Sequence, residues 1–289
     1  MLPALIDTAP VAATSVDAPL RAEAVAALMP PETRRWFDLR VVERAGSTNS
    51  DLLRDAEHLP SGTVLAAEEQ TAGRGRRGRA WIAPPGGSLA FSVLWKFDGS
   101  VAALSGLSLA VGVAVARALE AQGAEGVRLK WPNDLLAQHD GAWRKLGGML
   151  IDVSSATAGM VAAVIGIGLN VNLGVAASAI DQPVTDLRAL KCDATRDALL
   201  AAILNELATV LPVFVTEGFA PLVDEWNQRH AWRGLPVRLA KDMDSGDSAA
   251  GIAGGVGADG ALLIDTPAGQ RRIVSGDVSL RMASAPPAT

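Results

Sequence analysis

Residues 70–81 read QTAGRGRRGRAW, four arginines and three glycines in a chain whose formal net charge is −5. The reading of this block decides the fold. Residues 73–78 fit G-x-G-x-x-G, and Asp98 lies where a dinucleotide-binding fold would place its ribose-binding acid. Such a loop must open a helix, because the helix N-terminus holds the pyrophosphate. Here Pro84-Pro85-Gly86-Gly87 follows within a few residues and prevents one. The same pattern recurs at Gly255-Val256-Gly257-Ala258-Asp259-Gly260, in a stretch with hairpin spacing, so it carries little information by itself. A dinucleotide fold is excluded. The block remains an anion-binding loop, a nucleic-acid element or a solvated charge run.

On either side, apolar patterning predicts strands at 36–43, 63–68, 88–97, 127–130, 145–154 and 160–170. Thr48 and Asp51 have capping-box spacing for a helix reaching His58. An apolar helix is expected over 103–122, buried because it is greasy nearly all round, and two more over 195–216 and 218–230. Residues 174–185 show no period and read as a loop. Residues 1–30, rich in alanine and proline, read as a tail with at most one short helix near 20–28. Beyond Gly234-Leu235-Pro236 the pattern changes to short strands punctuated by glycine and aspartate, a small β-barrel of about fifty residues. The expected division is tail 1–30, main domain 31–233 and barrel 234–284.

Composition narrows the class. With 49% hydrophobic residues the chain can bury a sizeable core, and the acidic balance argues against a nucleic-acid-coated protein. The single cysteine, Cys192, rules out an intrachain disulfide and suits a reducing compartment. The first twenty residues lack a basic region and a continuous apolar run, so no signal peptide is expected. The longest apolar stretch, 107–116, is interrupted by Arg117 before it could span a bilayer. The expectation is a cytoplasmic protein without membrane contact. His58, His139 and His230 are scattered without metal-ligand spacing.

Five segments then occur in a recognisable order: Gly46-Ser47-Thr48-Asn49; Gln70 with the block through Trp81; Lys130-Trp131-Pro132-Asn133-Asp134; Lys145-Leu146-Gly147-Gly148; and Gly166-Ile167-Gly168-Leu169-Asn170. In these the chain resembles the biotin protein ligases, and Gly276-Asp277-Val278-Ser279-Leu280-Arg281 extends the resemblance towards the C-terminus. It implies an α+β fold of the class II synthetase-like biotin/lipoate ligase type, a mixed β-sheet packed with helices, followed by an SH3-like β-barrel. It implies activation of biotin by ATP with Mg²⁺ and transfer to a lysine of a carboxylase's biotin carboxyl carrier domain.

By that resemblance Lys130 and Arg76 are catalytic. Biotin is assigned to Ser47, Thr48, Asn49, Gln70, Arg74, Gly75, Arg76, Lys130, Gly147 and Gly148. ATP is assigned to Arg74, Arg76, Arg79, Trp81, Asn133, Lys145 and Asn170, and the metal to Asp134. The charges suit this chemistry, which brings two anions together: at ~4 Å and an effective dielectric near ~20, like charges repel by roughly 4 kcal/mol. Arginine's planar fork fits carboxylate and phosphate alike. About thirty N-terminal residues are too few for the winged helix-turn-helix that some relatives carry, so no DNA binding is expected. A homodimer is left open. The rival readings are a lipoate or octanoate ligase of the same superfamily and an arginine-glycine nucleic-acid module.

Overall fold

The structure, a computed structural model, describes residues 18–82, 84–155, 159–241, 250–274 and 278–282. The main sheet contains β1 (Asp38–Ala45), β2 (Thr63–Gln70), β3 (Ser88–Asp98), β4 (Arg128–Lys130), β5 (Asp134–His139), β6 (Ala142–Ser155) and β7 (Met160–Asn170). Their order is β1-β2-β3-β7-β6-β5-β4, parallel only between β1 and β2. Among the described residues the α-helices are α1 (Ala22–Leu28), α2 (Pro31–Arg34), α3 (Thr48–Arg54), α4 (Leu107–Ala121), α5 (Arg196–Glu217) and α6 (Val223–Arg229).

Strand periodicity makes the sheet two-faced. On β3 and β7 the odd positions, among them Phe91, Val93, Ile165 and Ile167, join one large core with α4 and α5. The even positions carry Leu94, Ala162 and Val164, which pack with Leu52 of α3 and with Ala56 just beyond it. Further along that second face stand Ser92, Gly166 and Gly168. There the apolar cover stops.

Several expectations shift. Residues 18–30, read as part of a tail, are docked: Val25 of α1 is fully buried, and Arg21 N donates to Asp197 Oδ1 at 3.0 Å. Buried Arg196 pairs with Glu68 at 2.8 Å and donates to Ala18 O at 2.9 Å. Residues 1–17 lie outside the described residues. Ser47, one residue before the expected Thr48, caps α3 by accepting from Ser50 N. The apolar helix starts later than expected because Gly106, at φ +82°, breaks it from a preceding 3₁₀ turn. Counted across that break, Val101–Ala121 and also Arg196–Glu217 have the length and apolarity of membrane spans. Their apolarity serves the core instead, since α4 buries most of its side chains against α5 and the sheet.

The C-terminal unit is an antiparallel sheet of β8 (Pro236–Lys241), β9 (Ala250–Val256), β10 (Leu262–Thr266), β11 (Gly269–Ile273) and β12 (Val278–Met282), ordered β11-β10-β9-β8-β12. Among the described residues its end strands do not pair, so the expected barrel is not closed. Its turn at Asp259-Gly260 seats on the main domain. Ser105 Oγ donates to Asp259 O at 2.7 Å, and Trp131 Nε1 to Gly260 O at 3.1 Å. Only glycine fits here: φ is +77°, and a Cβ would lie 2.8 Å from Gly106 Cα.

His230 closes the main domain beside β4, bridged to Leu129 and in tilted ring contact with Trp226, centroids 4.9 Å apart. Neither ring nitrogen has a hydrogen-bond partner among the described residues. Burial, with Arg233 nearby, lowers its pKa to about 4 from an ordinary 6.5. The unfolded chain therefore binds this proton more readily, and stability present above pH 6.5 is lost as pH falls towards 4. Between pH 7 and pH 5 this residue should remove about 2 kcal/mol. Urea unfolding of the wild type and His230→Phe at both pH values tests this, the expected result being a smaller acid-induced loss in the variant.

Candidate active site

Where that second face loses its apolar cover it forms the floor of a cleft walled by the basic block, the β4–β5 turn and β6. The block is a tight hairpin. Trp81 N donates to Gly73 O at 2.9 Å, Gly75 N donates to Arg79 O at 2.8 Å, and Arg74 bridges Ala80. Arg77 sits at its tip in the left-handed region, φ 62°, an uncommon conformation for a residue with a Cβ. The hairpin aims its arginines together: Arg74, Arg76, Arg77 and Arg79 all line the cleft. Arg74 Nη1 donates to Ser50 Oγ at 3.1 Å and lies 3.6 Å from Asp152. Arg76 Nη1 donates to Asn133 Oδ1 at 3.2 Å, and Asn133 Nδ2 donates to Met149 O at 2.6 Å.

Across the cleft, Asp134 stands between two ammoniums. Lys130 Nζ reaches one carboxylate oxygen at 2.9 Å and Lys145 Nζ the other at 2.7 Å, with all three side chains mostly buried. Lys130 also lies over the Trp232 ring, 5.1 Å from its centroid. Burial pushes the Asp134 pKa up, but the Lys145 and Lys130 ammoniums outweigh it and hold the carboxyl well below the usual range. Its register explains the arrangement: β5 runs between β4 and β6, with Lys130 opposite Asp134 on one side and Lys145 near it on the other.

The carboxylate expected to bear on the metal is ion-paired in this structure. Both Asp134 oxygens are committed to ammoniums, and the described residues hold no group of three His, Cys, Asp or Glu that could bind an ion. Asp134 is a counter-ion here.

Most expected ligand residues meet in the cleft: Thr48, Gln70, Gly75, Trp81, Lys130 and Gly148 line it with the arginines, Asn133, Asp134 and Lys145. Four do not. Ser47 caps α3. Asn49 is buried behind Thr48, and a Cβ on Gly166 would fall 2.2 Å from its Oδ1. Gly147 packs against β7, where a Cβ would lie 2.6 Å from Gly168 O. Asn170 donates to Lys145 O at 3.2 Å and Thr185 O at 3.0 Å, pinning the segment after β7 to β6. It lines only the adjoining recess, which runs past Trp81 and Gln182. That segment, expected to be a patternless loop, has a 3₁₀ turn at Gly174–Ala179 and a bridge from Val184 to Lys145. Trp81 lies on Gly168, whose missing side chain makes the room.

Arg281 of β12 also lines the cleft, brought there by the C-terminal sheet. The sequence pattern around it was visible, but only the docking of that sheet shows where the side chain goes. Among the described residues, seven cationic side chains and one carboxylate line the cleft. Such a concentration can hold a polyanion against its own charge repulsion.

Residues 41–170 match the Biotin/lipoate A/B protein ligase family, and residues 235–281 match the Biotin protein ligase C terminal domain. The chain is 37% identical over 239 residues to the bifunctional ligase/repressor BirA of Escherichia coli, covering 82% of this chain and 72% of that one. To the biotin–acetyl-CoA-carboxylase ligase of Mycobacterium tuberculosis it is 36% identical over 253 residues, covering 84% and 89%. Among solved structures it is similar to the biotin protein ligase from Aquifex aeolicus in complex with biotin and ATP. There the TM-score is 0.73 at 30% identity, over 85% of this chain and 99% of that chain.

If Asp134 is the counter-ion of two lysines, removing its charge leaves two ammoniums facing each other in a mostly buried site. Asp134→Asn should then lose about 2–3 kcal/mol of stability at neutral pH, a little under the usual figure for a fully buried pair. Denaturant unfolding at pH 7 measures it, and a loss below about 0.5 kcal/mol would place the triad among weak surface pairs.

Proposed function

The chain belongs to the biotin protein ligase family, and from that premise we propose how its cleft carries out the reaction. The enzyme is an ATP-dependent ligase that activates biotin as biotinyl-5′-AMP and transfers the biotinyl group to protein. The observation that carries the residue roles is the cleft's lining of seven cations and one carboxylate, in a chain of net charge −5.

In the first step a biotin carboxylate oxygen attacks the α-phosphorus of ATP and pyrophosphate leaves. Lys130 and Lys145 offset the charge at the reacting carboxylate and phosphate, and the Asp134 pair holds both ammoniums in place until the anions arrive. Arg76, braced by Asn133, and Arg74 grip the acyl-phosphate. Arg79 and Arg281 lie further out, towards the recess beside Trp81 and Asn170, which suits the nucleotide. Thr48, Gln70, Gly75 and Gly148 form the biotin end, with Ser47, Asn49 and Gly147 supporting it from behind. In the second step an acceptor lysine amine attacks the biotinyl carbonyl carbon and AMP leaves with the bonding electrons. The acceptor we propose is the biotin carboxyl carrier domain of a carboxylase. Asp134 is the residue that would hold a magnesium ion brought by ATP, directly or through water, with phosphate and water as its other ligands. One cysteine in the sequence gives no use for an oxidising compartment, which supports the proposed cytoplasmic location.

The lipoate reading shares the catalytic fold, but the match of residues 235–281 to a biotin ligase C-terminal domain favours biotin. ATP–pyrophosphate exchange decides between them. Exchange should require biotin, and exchange driven by lipoate alone would overturn the assignment. In the same assay Lys130→Ala should lose about 10²–10³ in rate, the scale of one lost transition-state donor. A folded variant with near-normal exchange would remove Lys130 from the chemistry.

Arg76 is placed to retain the intermediate through charge-assisted hydrogen bonds. Arg76→Gly should loosen that hold by about 1.5–3 kcal/mol, roughly ten- to a hundredfold in affinity. The released anhydride acylates free amines, so biotin on added albumin per adenylate formed, without acceptor, should rise. An unchanged ratio in a variant that still makes adenylate would show that Arg76 does not guard it.

A further inference from the structure

Behind Thr48 runs a chain of hydrogen bonds that the roles above leave unused. Asn49 Nδ2 donates to Leu150 O at 3.1 Å and to Asp152 Oδ2 at 3.0 Å. A carbonyl and a carboxylate only accept, so the amide cannot be turned round. Asn49 Oδ1 therefore faces Ser92, which is fully buried with its Oγ 2.6 Å away, and Ser92 must donate. With its one proton spent, Ser92 can only accept from Thr48, Oγ to Oγ 2.7 Å. The other acceptor within reach of the Thr48 hydroxyl, Gln70 Oε1, is farther at 3.2 Å and already takes the Thr48 backbone N–H at 2.8 Å. The Thr48 proton thus points to Ser92, and what Thr48 offers the cleft is a lone pair.

We infer that Asp152, Asn49 and Ser92 are positioning residues that set the hydrogen-bond polarity of the cleft, fixing Thr48 Oγ1 as an acceptor for a ligand N–H. Ser92 and Asn49 lie behind the lining and touch no ligand; they act through Thr48. The inference rests on the biotin reading and deepens it. Biotin carries N–H groups only on its ureido ring, so the chain selects that ring and its orientation at Thr48. A ligand with an oxygen at that point would set lone pair against lone pair.

The test uses the full chain, pyrophosphate exchange, biotin, and two cyclic carbamate analogues in which one or the other ureido N–H is replaced by oxygen. The wild type should reject the analogue whose oxygen meets Thr48. Ser92→Ala removes the nearer acceptor of the Thr48 proton, so the hydroxyl can turn and donate to a ligand or to Gln70 Oε1. The KM for biotin should then rise about tenfold while that analogue is used no worse, so the KM ratio of analogue to biotin falls by about tenfold. The KM for ATP should stay unchanged. A pocket that had merely loosened would raise both ligands' KM in equal proportion, and an unchanged ratio overturns the inference. If melting curves show Ser92→Ala unfolded, Ser92→Cys decides, because its thiol fills nearly the same space but is a weak acceptor for the Thr48 proton. There the ratio should fall about threefold, and no change overturns the inference. Exchange independent of biotin in the wild type would overturn the biotin reading and this inference with it; biotin-dependent exchange with unchanged ratios overturns the inference alone.

Discussion

The central constraint on this molecule is the pairing of β3 with β7, eleven residues in unbroken antiparallel register. Each strand has to be dry on one face and accommodating on the other. Odd positions bury Phe91, Val93, Ile165 and Ile167 in the main core, each large side chain contributing about 1.5–3 kcal/mol. Even positions give way to serine and glycine where the cleft begins. A one-residue slip would exchange the faces, filling the cleft with isoleucine and exposing the core to Ser92 and Gly166. The extensive apolar packing behind the sheet therefore fixes where the polar chemistry stands.

The second organising force is charge, and it works against stability. Gathering seven cations around one cleft costs self-repulsion, and burying the Lys130–Asp134–Lys145 triad costs desolvation that its mutual attraction only partly offsets. Hydrophobic replacements of similar volume could make such a site more stable. The arrangement is understandable as a site organised for anions, with Asp134 as the partner that keeps two ammoniums in order.

The sequence carried the strands, the buried helices and most of the cleft, because periodicity and glycine placement are local signals. Gly73, Gly166 and Gly168 could be singled out from order and spacing. What Gly168 makes room for, the Trp81 ring, could not. Residues given a ligand role by motif alone split in two. Thr48 and Gln70 face the cleft, while Asn49 and Asn170 spend their amides on backbone carbonyls, since neighbours in a motif on a strand or helix point different ways. Most of the misses are long-range. Asp152 and Ser92 acquire meaning only beside Asn49, and the docking of residues 18–30 depends on Arg196 and Glu68, far away in sequence. The β5 strand escaped notice because it is short and follows a proline turn, and the basic hairpin because charge hid its backbone pairing.

The turn at Asp259-Gly260 has a thermodynamic meaning. It rests on Gly106 and receives the Trp131 indole N–H next to Lys130, while Arg281 of the same sheet enters the cleft. Seating of the C-terminal sheet and occupation of the anion site thus draw on the same groups. Linkage then makes the dependence mutual: whatever factor the seated sheet adds to the affinity for an anion, the bound anion adds to the seating equilibrium.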